Sequence, residues 1–264
     1  MVQSSPKRQG QTKVHLVCDP FAKRQVPQLP LPQSRLLSMG LSQTTAAIVS
    51  AKLTQISETQ QKRLAAEAFV LSQCPVPNLP VLLSKAKPTS RKTTHSKLAV
   101  FDLDETLVRA GVEIETADFV VRLEDRSIGV KVRPYARECL SEVSACFEVA
   151  VFTASRAEYA DQVLNFLDPE GKYIQHRLYR GSCVEIGPLL LKDLRVLPYA
   201  LKDVVMVDNS LFGYPFQRAN GVPVNTWTGA AEDEELRTVP PYLRLLQTLS
   251  DVRPFNQSVF SFLY

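Results

Sequence analysis

The stretch Leu98-Ala99-Val100-Phe101-Asp102-Leu103-Asp104-Glu105-Thr106-Leu107-Val108 decides the fold. Residues 98–103 are apolar except for Asp102, the pattern of a strand buried on both faces of a sheet. Two aspartates, one residue apart, stand where that strand ends. Open α/β sheets place their ligands at the carboxyl ends of their strands. A carboxylate set among apolar neighbours costs several kcal/mol unless a cation or dense hydrogen bonding compensates it. Alone, a D-x-D-x-T pattern is weak, because a polar turn after a strand explains it equally well.

Working outward, strand and helix signals alternate. Residues 119–123 and 128–132 flank the polar Glu124-Asp125-Arg126-Ser127, which predicts a β-hairpin. Pro134 suits the first turn of a helix running to about residue 145. Residues 147–152 read as a second buried strand, and 157–167 as a helix stopped by Asp168-Pro169-Glu170-Gly171. Further strands are expected at 204–207 and 222–226, with a closing helix from about 241 to 249. The alternation predicts an α/β class: a doubly wound, mainly parallel sheet with a hairpin insertion.

Three more strand ends carry groups suited to phosphate chemistry. Residues 149–152 lead into Thr153-Ala154-Ser155, a hydroxyl and adjacent amides at a strand-to-helix junction. Lys192 follows the apolar run 188–191 as a point charge. Residues 204–207 lead into Asp208-Asn209-Ser210, whose oxygens can join Asp102 around a hard cation such as Mg²⁺. Singly these read as a helix cap, a surface lysine and an Asx turn; together and in this order they outweigh those readings.

The 264 residues, 45% hydrophobic and 22% charged, suit a folded protein of one or two domains. No run of 18 apolar residues is present, so no membrane-spanning helix is expected, and the first ten residues lack the apolar core of a secretory signal. Five cysteines without a CxxC pair argue against a disulfide framework or structural zinc. The net charge of +4 is split: residues 1–97 carry 14 Lys and Arg against 3 Asp and Glu, and the remainder 17 against 24. A basic arm thus precedes an acidic body, which implies an anionic partner (nucleic acid, an acidic protein face or a membrane surface), or else a solvated leader. Within the arm, residues 1–42 are rich in Gln, Ser and Pro and read as extended. Helical spacing over 42–73 predicts a helix broken at most once, and 84–97 reads as a linker. The expected division is an arm and linker over 1–96, an α/β domain over 97–253 and a tail over 254–264. Apolar positions on the arm helix are too few to need burial in its own core, so docking on a partner is the favoured expectation, with an arm folded back to complete its own domain as the alternative.

From about Lys97 to Arg253 the sequence resembles the haloacid-dehalogenase-type phosphatases. Within them it is similar to those acting on the C-terminal repeat domain (CTD) of RNA polymerase II, the small CTD phosphatases and Dullard-like enzymes of the NLI-interacting factor family. The resemblance rests on Asp102-Leu103-Asp104-Glu105-Thr106-Leu107-Val108, Val151-Phe152-Thr153-Ala154-Ser155, Glu158-Tyr159-Ala160-Asp161, His176-Arg177-Leu178-Tyr179-Arg180, Lys192-Asp193-Leu194 and Val207-Asp208-Asn209-Ser210. It implies an Mg²⁺-dependent serine/threonine phosphatase with an aspartyl-phosphate intermediate. Asp102 would be the nucleophile and Asp104 the general acid and base. Thr106, Thr153, Ala154, Arg180 and Lys192 would contact the substrate. Asp102, the Asp104 carbonyl, Asp208 and Asn209 would hold Mg²⁺. The implied partner is a phosphoprotein, of which the polymerase repeat is one candidate. Two positions depart from the family pattern: Leu211 stands where Pro is usual, and Tyr135 where Gly is common. The competing expectation is a non-catalytic scaffold akin to mitochondrial import-receptor relatives, which often lose the second aspartate. A nuclear or cytoplasmic location is expected, with a mitochondrial one suggested by the acid-poor arm.

Overall fold

The computed structural model describes residues 33–38, 40–85 and 92–264. Four helices come first: α1 (Gln33–Ser38), α2 (Gln43–Gln55), α3 (Glu58–Leu71) and α4 (Leu79–Lys85). Strand β1 (Leu98–Phe101) then opens the body. It is followed by β2 (Val108–Val112), β3 (Phe119–Arg122), β4 (Ser127–Val132), α5 (Ala136–Ser144), β5 (Glu148–Phe152) and α6 (Ala157–Leu167). The short strands β6 (His176–Leu178), β7 (Val184–Ile186) and β8 (Leu189–Leu191) precede β9 (Val204–Asp208) and β10 (Gly221–Pro223). Helices α7 (Glu235–Gln247) and α8 (Val252–Val259) close the chain.

The main sheet has the order β10-β9-β1-β5-β6, and every neighbouring pair is parallel. Each residue of β1, β5 and β9 is buried, which explains why these strands read as apolar runs, with Glu148 at the start of β5 and Asp208 at the end of β9 as their polar residues. Burying one such Val, Leu or Phe side chain contributes about 1.5–3 kcal/mol. The register pairs Phe101 with Val151 on one side and Val207 on the other. Asp102, Phe152 and Asp208 therefore end level with one another, and the next residues emerge from one edge of the sheet.

The insertion is a three-stranded antiparallel sheet, β2-β4-β3, rather than a simple hairpin. Strand β2 went unpredicted because Ala110 and Gly111, poor strand formers, leave its short alternation of Val108, Ala110 and Val112 a weak signal. The insertion leans on α6: the Phe119 and Phe166 rings stack at 4.1 Å, and the Gln162 amide brackets the backbone N–H and C=O of Arg122 at 3.0 and 2.9 Å. Tyr135 precedes α5 with φ 64°, a left-handed conformation that glycine adopts without strain. Its ring lies 5.2 Å from the Arg237 guanidinium.

Several boundaries differ from expectation. Helix α7 starts six residues before 241 and carries Pro240 and Pro241 inside it. What anchors its first turn is the buried Glu235, not a proline. The strand expected at 222–226 is the shorter β10, and β6, β7 and β8 are too short to leave a periodicity. The supposed tail belongs to the body: Val252, Val259, Phe260 and Leu263 are buried, and Asn256 Oδ1 accepts from Tyr242 Oη at 2.7 Å.

The arm requires the largest correction. Ala46, Val49, Leu53, Ile56, Leu64 and Leu71 join the same apolar cluster as the sheet. Lys52 Nζ, fully buried in α2, pairs with Glu235 Oε1 of α7 at 2.7 Å. Where an extended chain was expected, residues 33–38 form α1; residues 1–32 and 39 of that expectation, and 86–91 of the expected linker, lie outside the described residues. The linker is not free at its end either, since the Glu148 carboxylate accepts from Lys92 N at 2.8 Å. An apolar count undervalued the helices because the face they bury is partly polar: Lys52, Gln60 and Glu67 all lie inside.

Candidate active site

Asp102, Thr153 and Asp208 leave the level ends of β1, β5 and β9, and Lys192 follows β8. Lys192 Nζ is buried and donates to Asp102 Oδ1 at 2.5 Å and to Asp208 Oδ2 at 2.8 Å. Burial alone would lower this ammonium's pKa, but the two carboxylates outweigh it and hold the amine above its ordinary value. Asp208 is pushed up by burial first and by the charge of Asp102 second. Two buried carboxylates thus share one ammonium, and the excess negative charge suits a hard cation with oxygen ligands. Among the described residues no three His, Cys, Asp or Glu side chains form a ready metal cluster. An oxygen set would instead draw on Asp102, Asp208, the Asn209 amide and the Asp104 carbonyl.

Asp104 faces the other way, toward α6. Its Oδ1 accepts from Tyr159 Oη at 2.7 Å, and its Oδ2 from Ser155 Oγ at 2.7 Å and Thr153 Oγ1 at 3.4 Å. Burial raises its pKa against the opposing Tyr159 hydrogen bond, and the Asp102 charge adds to the rise. A carboxyl that holds its proton above the usual range is suited to donate one. Sequence reasoning missed this role for Tyr159 and Ser155. Tyr159 lies in the first turn of α6, and nothing in its spacing says that its hydroxyl turns toward the residues after β1.

The remaining candidates are spread around this centre. Thr153 Oγ1 also accepts from Ser155 N at 3.0 Å, which fixes the turn after β5. The Ala154 carbonyl accepts from Arg180 Nε at 2.8 Å, placing the exposed Arg180 at the rim. Thr106 is buried and its hydroxyl lies 3.3 Å from Asn209 Oδ1, so it braces the β9 loop from the β1 side. Asn209 also reaches Thr226 Oγ1 at 3.1 Å. Gly213 turns back against this loop, where a Cβ would fall on the Asp208 carboxylate. A groove of about 880 Å³ leads outward from Asp104. The insertion walls one side with Arg122 and Arg126, and α6 the other with Arg156 and Gln162.

A parallel sheet of this order, with carboxylates, a lysine and hydroxyls gathered at one edge, defines an open α/β domain whose site lies at the carboxyl ends of its strands. A family model described as NLI interacting factor-like phosphatase matches residues 97–253, and the chain belongs to that family. CTD small phosphatase-like protein 2 of Dictyostelium discoideum is 40% identical over 186 residues, covering 69% of this chain and 32% of that protein. CTD small phosphatase-like protein 3 of Caenorhabditis elegans is 32% identical over 190 residues, 70% of this chain and 63% of the other. The Homo sapiens CTD small phosphatase-like protein is 40% identical over 161 residues, 59% and 58% of the two chains. The chain thus spans between a third and two thirds of these relatives' lengths. No helix among the described residues is long and apolar enough to cross a membrane.

Proposed function

We propose that the protein is an Mg²⁺-dependent phosphoprotein phosphatase that acts on phosphoserine or phosphothreonine through an aspartyl phosphate on Asp102. The observation that carries this reading is the Lys192 ammonium held between Asp102 and Asp208, with Asp104 turned away and bound by the hydroxyls of Tyr159, Ser155 and Thr153. Asp102, Asp208 and Asn209 side chains and the Asp104 carbonyl would hold Mg²⁺. When bound, the cation supplies charge neutralisation for an anionic nucleophile meeting an anionic ester.

The chain's own residues account for the rest. Asp102 Oδ attacks phosphorus as the bond to the serine or threonine oxygen breaks, and the protonated Asp104 carboxyl gives its proton to that leaving oxygen. Asp104, now a carboxylate, takes a proton from the water that attacks the phosphorus of the acyl phosphate. Free phosphate leaves and Asp102 is restored. Lys192, the Thr153 hydroxyl and the amide of Ala154 bind the phosphoryl oxygens, Thr106 keeps Asn209 in place, and Arg180 meets the phosphate at the rim. A phosphoprotein segment lies in the groove between the insertion and α6. The CTD of RNA polymerase II is one such substrate, suggested by the names of the relatives.

Turnover of p-nitrophenyl phosphate with Mg²⁺, its loss in EDTA and its restoration by Mg²⁺ test the proposal. Abolition in Asp102→Asn, which nearly preserves volume but removes the nucleophile, completes the test. Turnover that survives exhaustive chelation, or that persists in Asp102→Asn, refutes it. The scaffold alternative draws on relatives that lose the second aspartate, whereas Asp104 is present here and held by three hydroxyls.

A further inference from the structure

Helix α3 presents Gln60, Arg63 and Glu67 along one stripe, at spacings of three and four residues. All three reach the loop that follows β9 or the strand-end residue beside it. Gln60 Nε2 donates to the Asn209 carbonyl at 2.5 Å, while its Oε1 accepts from Thr226 Oγ1 at 3.1 Å. Glu67 Oε2 accepts from Leu211 N at 2.7 Å and from Ser210 Oγ at 3.1 Å. Arg63 ties the stripe together, donating to Glu67 Oε1 at 3.1 Å and to Thr226 Oγ1. Three consecutive residues after Asp208 are therefore held by an element that lies outside residues 97–253.

The contact with Leu211 is chemically pointed. Its N–H is buried beneath α3 and would be an unsatisfied donor without Glu67. A proline at this position would have no N–H to satisfy, and Ser210 before it has the extended backbone, φ −132° and ψ 143°, that the residue preceding a proline adopts. Leucine here and a carboxylate on α3 are thus a matched pair.

We propose that Gln60 and Glu67 are positioning residues for the Asp208–Asn209 loop, so that the N-terminal helices set the affinity of the cation site. This rests on the Mg²⁺ reading above. Groups that orient metal ligands commonly change affinity by about 10–100-fold when removed. The test is calorimetric titration of Mg²⁺ into the full chain, alongside steady-state turnover of p-nitrophenyl phosphate across Mg²⁺ concentrations. In Glu67→Ala and Gln60→Ala the Mg²⁺ Kd should rise about tenfold or more. KM for the aryl phosphate at saturating Mg²⁺ should stay near wild type. Glu67→Gln, which still offers an oxygen to Leu211 N, should recover most of the loss. Leu211→Pro removes the donor and leaves the α3 stripe untouched; in that background Glu67→Ala should cost clearly less Mg²⁺ affinity than it does alone. If the alanine variants do not fold, Gln60→Met, which nearly keeps the volume but removes the donor to the Asn209 carbonyl, decides the matter: its Mg²⁺ Kd should rise likewise, and a wild-type value overturns the positioning role. Wild-type Mg²⁺ affinity in the variants, with only a lowered melting temperature, overturns the positioning role and leaves the phosphatase intact. Wild-type protein that binds no Mg²⁺ overturns the functional reading and this inference with it.

Discussion

Lys52→Met tests whether the arm is part of the folded body. Lys52 Nζ is fully buried and meets Glu235 Oε1 at 2.7 Å, with the Glu235 side chain 2% exposed. Methionine keeps the stem's packing and deletes the charge, leaving Glu235 buried with only Asn225 beside it. Breaking a buried pair from one side costs about 3–5 kcal/mol, far above the roughly 0–1 kcal/mol of a solvent-exposed pair. For a protein of this size each kcal/mol shifts the melting temperature by about 2–4 °C, so a fall of about 6–20 °C is expected. Calorimetry on the full chain measures it. The double variant Lys52→Met with Glu235→Gln should regain most of the loss, because it removes the stranded charge and keeps an acceptor for Asn225. Turnover well below the melting range should stay near wild type, since neither residue touches the site. A shift below about 3 °C in Lys52→Met would correspond to an exposed pair. That result would refute the docking of α2 on α7.

Asp104→Asn should lower turnover of phosphoserine peptides by about 10²–10⁴, and of p-nitrophenyl phosphate less in the first step, because nitrophenolate leaves without a proton. Rates measured on both substrates check this, and equal losses with no accumulated intermediate would count against Asp104 as the acid. Because burial raises the Asp104 pKa, the folded state favours the protonated form. Stability from this group is full below the unfolded value and is lost as pH rises through the folded one. Asp104→Asn should therefore gain melting temperature relative to wild type as pH rises from about 4 toward neutrality; thermal melts across that range show whether the difference grows. Gly213→Ala should displace the Asp208 carboxylate and weaken both Mg²⁺ binding and turnover, which calorimetric titration and rate measurements together reveal. An alanine variant with wild-type affinity would show that the turn after β9 gives way easily.

The central strands were legible because both faces of β1, β5 and β9 are covered, so their sequences carry no polar interruption until the sheet edge. That edge is also where Asp102, Thr153 and Asp208 stand, and parallel register brings residues far apart in sequence level with one another. The polar half of the site was less legible. Tyr159 and Ser155 hold Asp104 through side-chain directions that appear only once the start of α6 and the turn before it are set beside the loop after β1. The arm misled for a physical reason. Amphipathic periodicity counts apolar residues, and α2 and α3 bury Lys52, Gln60 and Glu67 against partners more than 140 residues away in sequence. No local pattern distinguishes such a lysine from a solvated one. Leu211 offered the one available hint, since a non-proline residue there adds a buried N–H that something must accept.

The aspartyl phosphate on Asp102 is tested most directly by trapping it. Full-length protein mixed with p-nitrophenyl phosphate and Mg²⁺ is quenched in acid within the first turnovers, digested, and read by mass spectrometry. The expected result is one phosphoryl group on the peptide carrying Asp102, removed by hydroxylamine and absent from Asp102→Asn. Turnover with no label on Asp102, or with a phosphoryl group on another residue that survives Asp102→Asn, would contradict the mechanism.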